Sequence, residues 1–426
     1  MKQTLCEKIL AKAAGKPSVT PGEYITVKDF TGPIFYSFKG VSVLGMYMDA
    51  AEKISGKKIS NGNKYIYNED HNSPPVNADS IRFFKDEHKR AKDIGATCYC
   101  REGIGHVVNV EQGDIMPGKV FVHFDPQASN AGGVGAFYTN GGRFGGHVVE
   151  AMAFDEITLC VPETIRVVID GQLKPYISAK DVWFAVQNEL GPDGAIGAVV
   201  EFDGSAIEAM DIDQRMILCG EISYVGADTA LIKSDAKTCT WYKENFGIEA
   251  EEISGDSDAQ YSRVLHFCAE DIVPMVTYPP EVFTSCPASE LKNVAIDQCI
   301  IGTCIGGSLS DLRIAANILK GHQIKEGVRF IVSPVTQYVY SQAAREGLLS
   351  TLADAGAIVI APTCDVCFGG VGPLNPGEVS LSQQTLNVPG RSGSHEAFIY
   401  LASAATIAAS AITGYITSPE TYYREG

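Results

Sequence analysis

Residues 294–321, VAIDQCIIGTCIGGSLSDLRIAANILKG, indicate the fold class of this chain. VAIDQCIIG has the continuous apolar run of a buried strand, and SDLRIAANILKG has the apolar spacing of a helix that ends at Gly321. The alternation continues with the strand VRFIVSP, the helix QYVYSQAAREGLLSTLADAG, which ends at Gly356, and the strand AIVIAP. Strands that alternate with helices predict a doubly wound α/β domain with a mainly parallel sheet.

Two cysteine-bearing loops follow strands of this domain, GTCIGGS at 302–308 and TCDVCFGG at 363–370. Ligands of such sheets gather at the carboxyl ends of the strands, so both loops are expected to border a site. The pair Cys364 and Cys367 suits a structural zinc site, a redox dithiol, an iron–sulfur cluster or two buried thiols. A zinc ribbon would need a second such pair, and a thioredoxin-type motif opens a helix, whereas this one runs into glycine and proline.

The composition describes an ordinary folded protein of two or three domains, with 426 residues, 45% apolar and 20% charged. A formal net charge of −17 repels phosphate backbones, and the chain has no cluster of Lys and Arg with interleaved aromatic residues. We therefore do not expect the protein to bind nucleic acid.

The N-terminal segment MKQTLCEKILAKAAGK lacks the uninterrupted apolar stretch of a signal peptide. It predicts an amphipathic helix with Thr4 and Glu7 in capping-box spacing. The charge-free stretch 397–417 is rich in Ala, Ser and Thr, so we interpret it as a buried helix and expect no membrane span. The twelve cysteines are expected to be free thiols or metal ligands of a cytoplasmic protein.

The first two thirds of the chain alternate less regularly. KVFVHFD and IRVVIDG predict strands, and AKDVWFAVQNELG predicts a helix. The glycine-rich segment 129–146 predicts a turn-dense loop, but it lacks the Lys-Ser/Thr of a P-loop and the spacing of a dinucleotide motif, which disfavours nucleotide binding. Three prolines make residues 276–291 the predicted linker before a final domain. We therefore divide the chain into residues 1–285, two interleaved α/β domains, and residues 286–426, which carry the Cys-x-x-Cys loop.

Several segments, in order and over nearly the whole chain, resemble the large subunits of 3-isopropylmalate dehydratases and the wider aconitase family. They are TLCEKILAKAAGK, DHNSPP, GIGHVV, VPETIRVVIDGQL, DQRMILCGE, IIGTCIGGSLSDLRIAANILKG, APTCDVCFGG and NVPGR. The resemblance implies three doubly wound α/β/α domains around a central cleft that holds a [4Fe–4S] cluster. In that family a mobile fourth (swivel) domain, often a separate small subunit, closes over the cluster. Because this chain ends after the third domain, the resemblance implies a small-subunit partner.

The chemistry of that family removes and re-adds water on a hydroxy di- or tricarboxylic acid. A Lewis-acidic iron, cationic groups and acid/base groups share this work. The resemblance assigns catalytic roles to Asp70, His71, His106 and Asp125. It assigns substrate binding to Asp29, Thr31, Ser308 and Arg391. It assigns two of the three cluster ligands to Cys364 and Cys367. For the third ligand, the first candidate is Cys304 on the neighbouring strand-end loop, and Cys98 and Cys100, just ahead of His106, are the alternatives.

The sequence departs from the family pattern at residues that matter for this chemistry. The motif T-D-S-H-T-C is replaced by FDPQAS, so that Ser129 stands for a cluster cysteine and Gln127 for a histidine. At three further positions, this chain has Gly306 where the family has an asparagine, Leu386 where it has an arginine, and Tyr224 where it has a glutamate. A serine hydroxyl is a poor ligand for cluster iron, which argues against an ordinary [4Fe–4S] cluster and leaves a [2Fe–2S] centre or a single iron open.

Losing an arginine removes a bidentate clamp for one carboxylate, so isopropylmalate is not the expected substrate. The sequence therefore predicts a cytoplasmic hydro-lyase large subunit that dehydrates, hydrates or isomerises a small hydroxycarboxylic acid at an iron–sulfur or iron centre. The alternative is a cluster-free descendant that acts as a metal-independent enzyme or as a binding or regulatory subunit.

Overall fold

The structure is a computed structural model that describes residues 2–36, 38, 40–140 and 145–424. Residues 141–144 of the predicted glycine-rich loop lie outside this part of the chain. The chain divides into two compact units. Unit 1 consists of Met1–Arg101, Gly105–Ile169 and Asp193–Phe267, and unit 2 consists of Glu102–Ile104, Asp170–Pro192 and Cys268–Gly426. The division of residues 1–285 into two interleaved domains stays a prediction.

Thirteen α-helices are present in the described residues. They are α1 Leu5–Ala13, α2 Val43–Ser55, α3 Ala78–Asp93, α4 Gly105–Glu111, α5 Gly146–Phe154, α6 Ala179–Leu190, α7 Ser205–Ala209, α8 Ile212–Gly220, α9 Ala236–Phe246, α10 Leu309–Leu319, α11 Gln337–Arg345, α12 Leu348–Asp354 and α13 Ala404–Thr413. Helix α1 begins with the predicted capping box, since the Thr4 hydroxyl accepts from the Glu7 N–H and the Glu7 carboxylate accepts from the Thr4 N–H.

The same part of the chain contains eighteen strands. They are β1 Tyr24–Val27, β2 Phe30–Tyr36, β3 Ile66–Asn68, β4 Thr97–Tyr99, β5 Val120–His123, β6 Phe137–Asn140, β7 Ile157–Cys160, β8 Glu163–Asp170, β9 Ala198–Asp203, β10 Thr229–Ile232, β11 Arg263–Cys268, β12 Met275–Thr277, β13 Ser285–Pro287, β14 Gln298–Ile301, β15 Arg329–Val332, β16 Ile358–Val359, β17 Val379–Ser382 and β18 Phe398–Ala402. Short 3-10 helices cover Pro126–Val134, Ile222–Val225, Ala269–Asp271, Ala288–Leu291, Cys364–Cys367 and Pro419–Thr421.

Unit 1 contains a five-stranded parallel sheet in the order β4-β3-β2-β5-β6. A second sheet has the order β10-β9-β8-β11, in which β8, β9 and β10 run parallel, and β1 pairs with β7 antiparallel. A core cluster of this unit includes Leu10, Phe35 and Val148. Because β2, β3 and β5 run parallel, their carboxyl ends lie at the same end of the first sheet. The last residues of these strands are Tyr36, Asn68 and His123.

Unit 2 contains a seven-stranded sheet in the order β13-β12-β18-β17-β14-β15-β16. The five strands from β18 to β16 are parallel, as the alternating sequence predicted. The prediction of a linker at residues 276–291 was wrong. Val276 pairs antiparallel with Cys286 and with Ala402, so this segment forms β12 and the edge strand β13 of the sheet. Its prolines flank or end these short strands, which is where proline is compatible with a sheet.

Two predicted helices of unit 2 are interrupted. The stretch 397–417 forms β18 and then α13, with Ser403 at the N-cap between them, so its first part is a buried strand rather than a helix. The stretch 337–356 forms α11 and α12, which separate at Gly347, whose φ is 73°. Glycine adopts this left-handed conformation without a Cβ clash, which ends the first helix there. No helix in the described part of the chain is long and apolar enough to cross a bilayer.

A buried carboxyl group on β9 predicts a pH-dependent stability. Glu201 accepts hydrogen bonds from the Cys6 N–H at 2.9 Å and the Tyr261 hydroxyl at 3.3 Å, but burial raises the pKa of its carboxyl to about 7. The folded state therefore binds this proton more tightly than the unfolded chain, whose glutamates have a pKa of about 4.3. The contribution of protonated Glu201 to the free energy of unfolding is therefore complete at pH values below the unfolded pKa, and it is lost as pH rises through 7.

The Glu201→Gln side chain carries no charge at any pH. Between pH 4 and pH 8, we expect the free energy of unfolding of this variant to rise relative to that of the wild type by on the order of 3 kcal/mol. Urea unfolding at both pH values measures this change. The matched control is Glu163→Gln on the neighbouring strand β8, where the side chain is exposed. An equal stability difference at both pH values for Glu201→Gln would contradict the prediction.

Candidate functional site

Asp70 and His71 form a buried pair just after β3. Asp70 Oδ1 lies 2.8 Å from His71 Nδ1, and Asp70 Oδ2 accepts a hydrogen bond from the Gly105 N–H at 3.0 Å. Both side chains are buried. A carboxylate that accepts from Nδ1–H fixes the orientation and tautomer of an imidazole, which leaves Nε2 to exchange protons. The pair therefore has the geometry of an oriented acid/base group.

Aromatic rings connect this pair with two further histidines. The ring of Tyr36, at the end of β2, stacks on His71 at 4.7 Å and lies 6.4 Å from the ring of His123. The rings of His123 and His106 meet edge to face at 4.9 Å. Sequence reasoning missed His123. Its signal was its place at the last position of a parallel strand, where side chains border a site.

His106 lies at the start of α4 and is 1% exposed, yet neither of its ring nitrogens has a hydrogen-bond partner among the described residues. Its Nε2 is 3.5 Å from Asp125 Oδ1, an ion-pair distance without hydrogen-bond geometry, and that oxygen also accepts from the Gln127 N–H at 2.9 Å. Buried polar atoms without partners are rare and mark a place for a ligand or water. His106 and Asp125 thus lie side by side with capacity for a further group, and their catalytic roles stay predictions.

His123 helps to fix Asp125. Its Nδ1 accepts a hydrogen bond from the Asp125 N–H at 2.9 Å. Burial and the neighbouring His106 hold the pKa of His123 well below its ordinary value. His123 is therefore a neutral imidazole at pH 7, and it presents a dipole rather than a charge to His106.

Two departures from the family pattern contact each other. The Gln127 side-chain amide donates to the Tyr224 hydroxyl at 2.7 Å, so the residues that stand for a family histidine and glutamate form a neutral pair. Ser129, which stands for the cluster cysteine, is fully buried, and its hydroxyl donates to the Cys219 carbonyl at 2.9 Å. The Ser129 hydroxyl therefore keeps its proton in a hydrogen bond to the backbone, whereas metal binding would require the deprotonated oxygen.

The contact between Gln127 and Tyr224 predicts that these two positions are coupled. We expect Gln127→His and Tyr224→Glu to destabilise the protein singly, because each leaves a partner without its hydrogen bond. The double variant replaces the pair by an ionic one and should recover at least about 1 kcal/mol of the summed loss. Urea unfolding of the four proteins measures this coupling. Strictly additive losses would contradict the prediction.

The structure does not bring Asp29 and Thr31 to this group. Asp29 precedes β2 and Tyr36 ends it, which separates them by on the order of 20 Å along the strand. The Asp29 side chain is 63% exposed and pairs with Lys119 at 2.9 Å. Thr31 lies at an irregularity of the β2–β5 register. Their substrate-binding roles stay predictions that lack support from contacts with the histidines.

Cys364 and Cys367 lie at the two ends of a buried 3-10 turn after β16 in unit 2. The Thr363 hydroxyl accepts from the Asp365 N–H at 3.2 Å, which caps the turn. The side-chain amide of Gln384 donates to the Val366 carbonyl at 2.8 Å. The turn is therefore held on both sides and presents its thiols from a fixed backbone.

Arg391 contacts the second cysteine of this turn. Its guanidinium donates to Cys367 Sγ at 3.1 Å, to the Cys367 carbonyl at 3.1 Å and to the Thr385 hydroxyl at 3.3 Å. Burial alone would raise the pKa of the Cys367 thiol, but Arg391 and Thr385 outweigh burial and lower that pKa below its ordinary value. These contacts favour the thiolate of Cys367, the form that ligates metal.

Cys304 is buried in the loop after β14, in the same unit. Ser308 is the N-cap of α10, where its hydroxyl accepts from the Asp311 N–H at 3.2 Å, a contact that explains this residue without a substrate. Gln383 was missed by sequence reasoning. A Cβ at Gly306 would lie 2.5 Å from Gln383 Oε1, so this amide occupies the place of the side chain that Gly306 lacks. Gln383 Nε2 is buried without a partner in the described residues, which marks it as a donor for a ligand.

The thiols of unit 2 fit an iron–sulfur centre. Cys304, Cys364 and Cys367 are soft, buried donors, and Arg391 supplies a positive charge beside one of them. Across the described residues, no three His, Cys, Asp or Glu ligand atoms that include one of these cysteines lie within 4.8 Å of one another. A single ion would need such closeness, whereas the thiolates of a cluster bind different irons and lie farther apart.

Comparisons with known proteins identify the family. The sequence profile of the Aconitase family (aconitate hydratase) matches residues 55–291 and 283–414. The 3-isopropylmalate dehydratase large subunit 1 of Methanopyrus kandleri is 34% identical over 431 residues, which cover 99% of this chain and 100% of that protein. The probable methanogen homoaconitase large subunit of Methanothermobacter thermautotrophicus is 33% identical over 425 residues, 99% of this chain and 98% of that protein.

Among solved structures, the crystal structure of Thermococcus kodakaraensis aconitase X in its holo form aligns with a TM-score of 0.48 and 11% identity, over 84% of this chain and 83% of that one. The profile and the full-length relatives, together with the parallel sheets, confirm the predicted α/β fold class and the resemblance that the sequence motifs carried. The chain belongs to the aconitase family of hydro-lyases.

Proposed function

We propose that the protein is the large subunit of a hydro-lyase that removes and re-adds water on a small hydroxy di- or tricarboxylic acid. The observation that carries this proposal is the pair of acid/base histidines in unit 1. Asp70 orients His71, and His106 keeps two buried ring nitrogens without a partner in the described residues. Dehydration needs one group that accepts a proton and one that delivers a proton to the departing hydroxyl, and imidazole does both near neutral pH.

In this proposal His71 exchanges a proton at Nε2, because its Nδ1–H is held by Asp70. Asp70 stabilises the imidazolium that forms and keeps its place through the Gly105 N–H. His106 handles the proton of the hydroxyl, with Asp125 3.5 Å from its Nε2 to stabilise its charged form. Each histidine thus has its own neighbouring carboxylate.

The residues proposed to hold an iron–sulfur centre are Cys364, Cys367 and Cys304. When bound, such a centre supplies a Lewis-acidic iron for the substrate hydroxyl and carboxylate. Arg391 and Thr385 contact Cys367 Sγ and lower the pKa of its thiol, which favours the thiolate that a metal would bind. Because the Ser129 hydroxyl donates a hydrogen bond to the Cys219 carbonyl, Ser129 is not part of the proposed ligand set.

The relatives are named large subunits of 3-isopropylmalate dehydratase and homoaconitase, which supports a separate small subunit as the partner of this chain. We infer a substrate other than isopropylmalate, because the sequence replaces a family arginine by Leu386. All twelve cysteines are free thiols, which supports the reducing cytoplasm as the compartment. The substrate-binding roles of Asp29, Thr31, Ser308 and Arg391 stay predictions.

The test is to purify the full chain without oxygen, together with its small subunit, and to measure iron, acid-labile sulfide and the hydration of a panel of unsaturated di- and tricarboxylic acids. We expect iron and sulfide in a fixed ratio and turnover of at least one acid of the panel. Protein that contains iron and sulfide yet hydrates no acid of the panel would contradict the proposed reaction, and protein that stays free of iron after reconstitution would contradict the cofactor.

A second candidate is a cluster-free protein that retains the fold as a metal-independent enzyme or a binding subunit. The observation in its favour is the contact between Arg391 and Cys367, since a guanidinium neutralises a buried thiolate without any metal. Reconstitution with iron and sulfide distinguishes the two candidates. A cluster-free protein stays colourless, and its carboxylate binding, measured by calorimetry, does not change after reconstitution.

A further inference from the structure

A glutamate, a histidine and a cysteine from three elements of unit 1 converge at one point. Glu69 directly follows β3, His88 lies on α3, and Cys100 directly follows β4. Glu69 Oε2 lies 3.0 Å and Cys100 Sγ lies 3.3 Å from the same atom, His88 Nε2. All three ligand atoms lie within 4.8 Å of one another. We propose that Glu69, His88 and Cys100 bind one Zn²⁺ ion.

The geometry suits a metal ion better than a catalytic relay. A relay of cysteine, histidine and glutamate needs the sulfur and the carboxylate on opposite ring nitrogens. Here both approach His88 Nε2, and the other nitrogen, Nδ1, is 4.0 Å from the sulfur. Ligand atoms of a tetrahedral zinc site are about 3.4 to 3.6 Å apart, given its usual bond lengths. The Glu69 and Cys100 ligand atoms, at 3.0 Å and 3.3 Å from His88 Nε2, each need to move only a few tenths of an ångström from that nitrogen to reach these separations.

Neighbouring groups hold the three ligands in place. Ser73 donates its hydroxyl to Glu69 Oε1 at 3.4 Å, and the Glu69 N–H donates to the Tyr99 carbonyl at 2.8 Å. The ring of Tyr67 meets His88 edge to face at 5.8 Å. The His88 side chain is 24% exposed, which gives an ion an entry path and leaves room for water as a fourth ligand. A thiolate, an imidazole and a carboxylate with one open position form a ligand set that zinc accepts.

The proposed ion would stabilise the loops that carry the histidines of unit 1. Glu69 precedes Asp70 directly, and Cys100 precedes Gly105, whose N–H holds Asp70, by five residues. Because a metal joins segments that are separate in the unfolded chain, its binding energy stabilises the folded loops. The site uses none of the cysteines of unit 2 and does not rest on the proposed hydro-lyase function.

The test uses the full-length protein after treatment with a chelator and measures the binding of Zn²⁺ by competition with a chromogenic chelator. We expect one Zn²⁺ per chain, with affinity lowered at least about 100-fold by Cys100→Ser or His88→Gln and at least about 10-fold by Glu69→Gln. The matched control is Cys98→Ser, two residues away on β4, which should bind as the wild type does. A Cys364→Ala/Cys367→Ala variant should also retain the ion.

Two measurements on the wild type keep the proposal testable if a variant fails to fold. Co²⁺ in place of Zn²⁺ should give the intense near-ultraviolet absorption of a thiolate ligand. Zn²⁺ should slow the alkylation of Cys100, read by mass spectrometry, while the exposed Cys160 and Cys268 react at unchanged rates. Zinc that persists in Cys100→Ser, zinc lost with Cys364 and Cys367, or a cobalt complex without thiolate absorption would each overturn the proposal.

Discussion

Cys367→Ala is expected to reduce bound iron to background and to lower hydration activity at least about 1000-fold. The thiolate is a soft ligand that neither alanine nor a nearby hydroxyl replaces, and a Lewis-acidic metal contributes several kcal/mol to such a reaction. Cys364→Ala should behave in the same way, because both thiols project from one turn. The measurements are iron and acid-labile sulfide per chain after anaerobic purification, followed by turnover of the active acid.

The matched control is Cys299→Ala, which removes another fully buried thiol of unit 2 from strand β14. It should retain iron, although it loses some stability to the cavity that it creates. Circular dichroism shows whether each variant is folded. A folded Cys367→Ala protein with iron and sulfide at the wild-type level would remove this residue from the proposed ligand set.

The sequence predicted the fold best where periodicity was unambiguous. In unit 2 short apolar runs alternate with amphipathic segments, and β14, α10 and β15 form where these patterns indicated. The prediction of a single helix at 397–417 was wrong because a charge-free apolar run is compatible with both a strand and a buried helix. The linker prediction at 276–291 failed because β12 pairs with β18, which is more than 100 residues away, and local composition carries no signal of such pairing.

Motifs indicated the candidate site only in part. Asp70 and His71 are adjacent in the sequence, and their contact in the structure follows from that adjacency. His123 and Gln383 belong to no motif. The position of His123 at a strand end was its only signal in the sequence, and the contacts of His123 with the Asp125 N–H and of Gln383 with the space beside Gly306 come from the structure. The contact of Gln127 with Tyr224 spans 97 residues. Long-range contacts of this kind depend on the packing of whole elements, which no local pattern encodes.

Asp70→Asn is expected to lower turnover by about 1000- to 10,000-fold while it leaves the fold intact. The asparagine oxygen still accepts from the Gly105 N–H, but its NH₂ group donates a hydrogen bond to His71 Nδ1, whereas the carboxylate accepted one from the Nδ1–H. His71 then carries its proton on Nε2, the wrong tautomer for a base, and loses the charge that stabilises its imidazolium. Losses of this size accompany the same exchange in other oriented histidines.

The tautomer of His71 provides a readout that does not depend on the substrate. In protein labelled with ¹⁵N-histidine, the Nδ1 and Nε2 shifts of His71 should exchange between the protonated and unprotonated ranges in Asp70→Asn, while those of His123 stay as in the wild type. The catalytic control is Asp114→Asn, a partly buried carboxylate of unit 1 that contacts Asn109, which should change turnover by no more than about two-fold. Unchanged His71 shifts together with wild-type turnover would show that Asp70 does not set the proton position of this histidine.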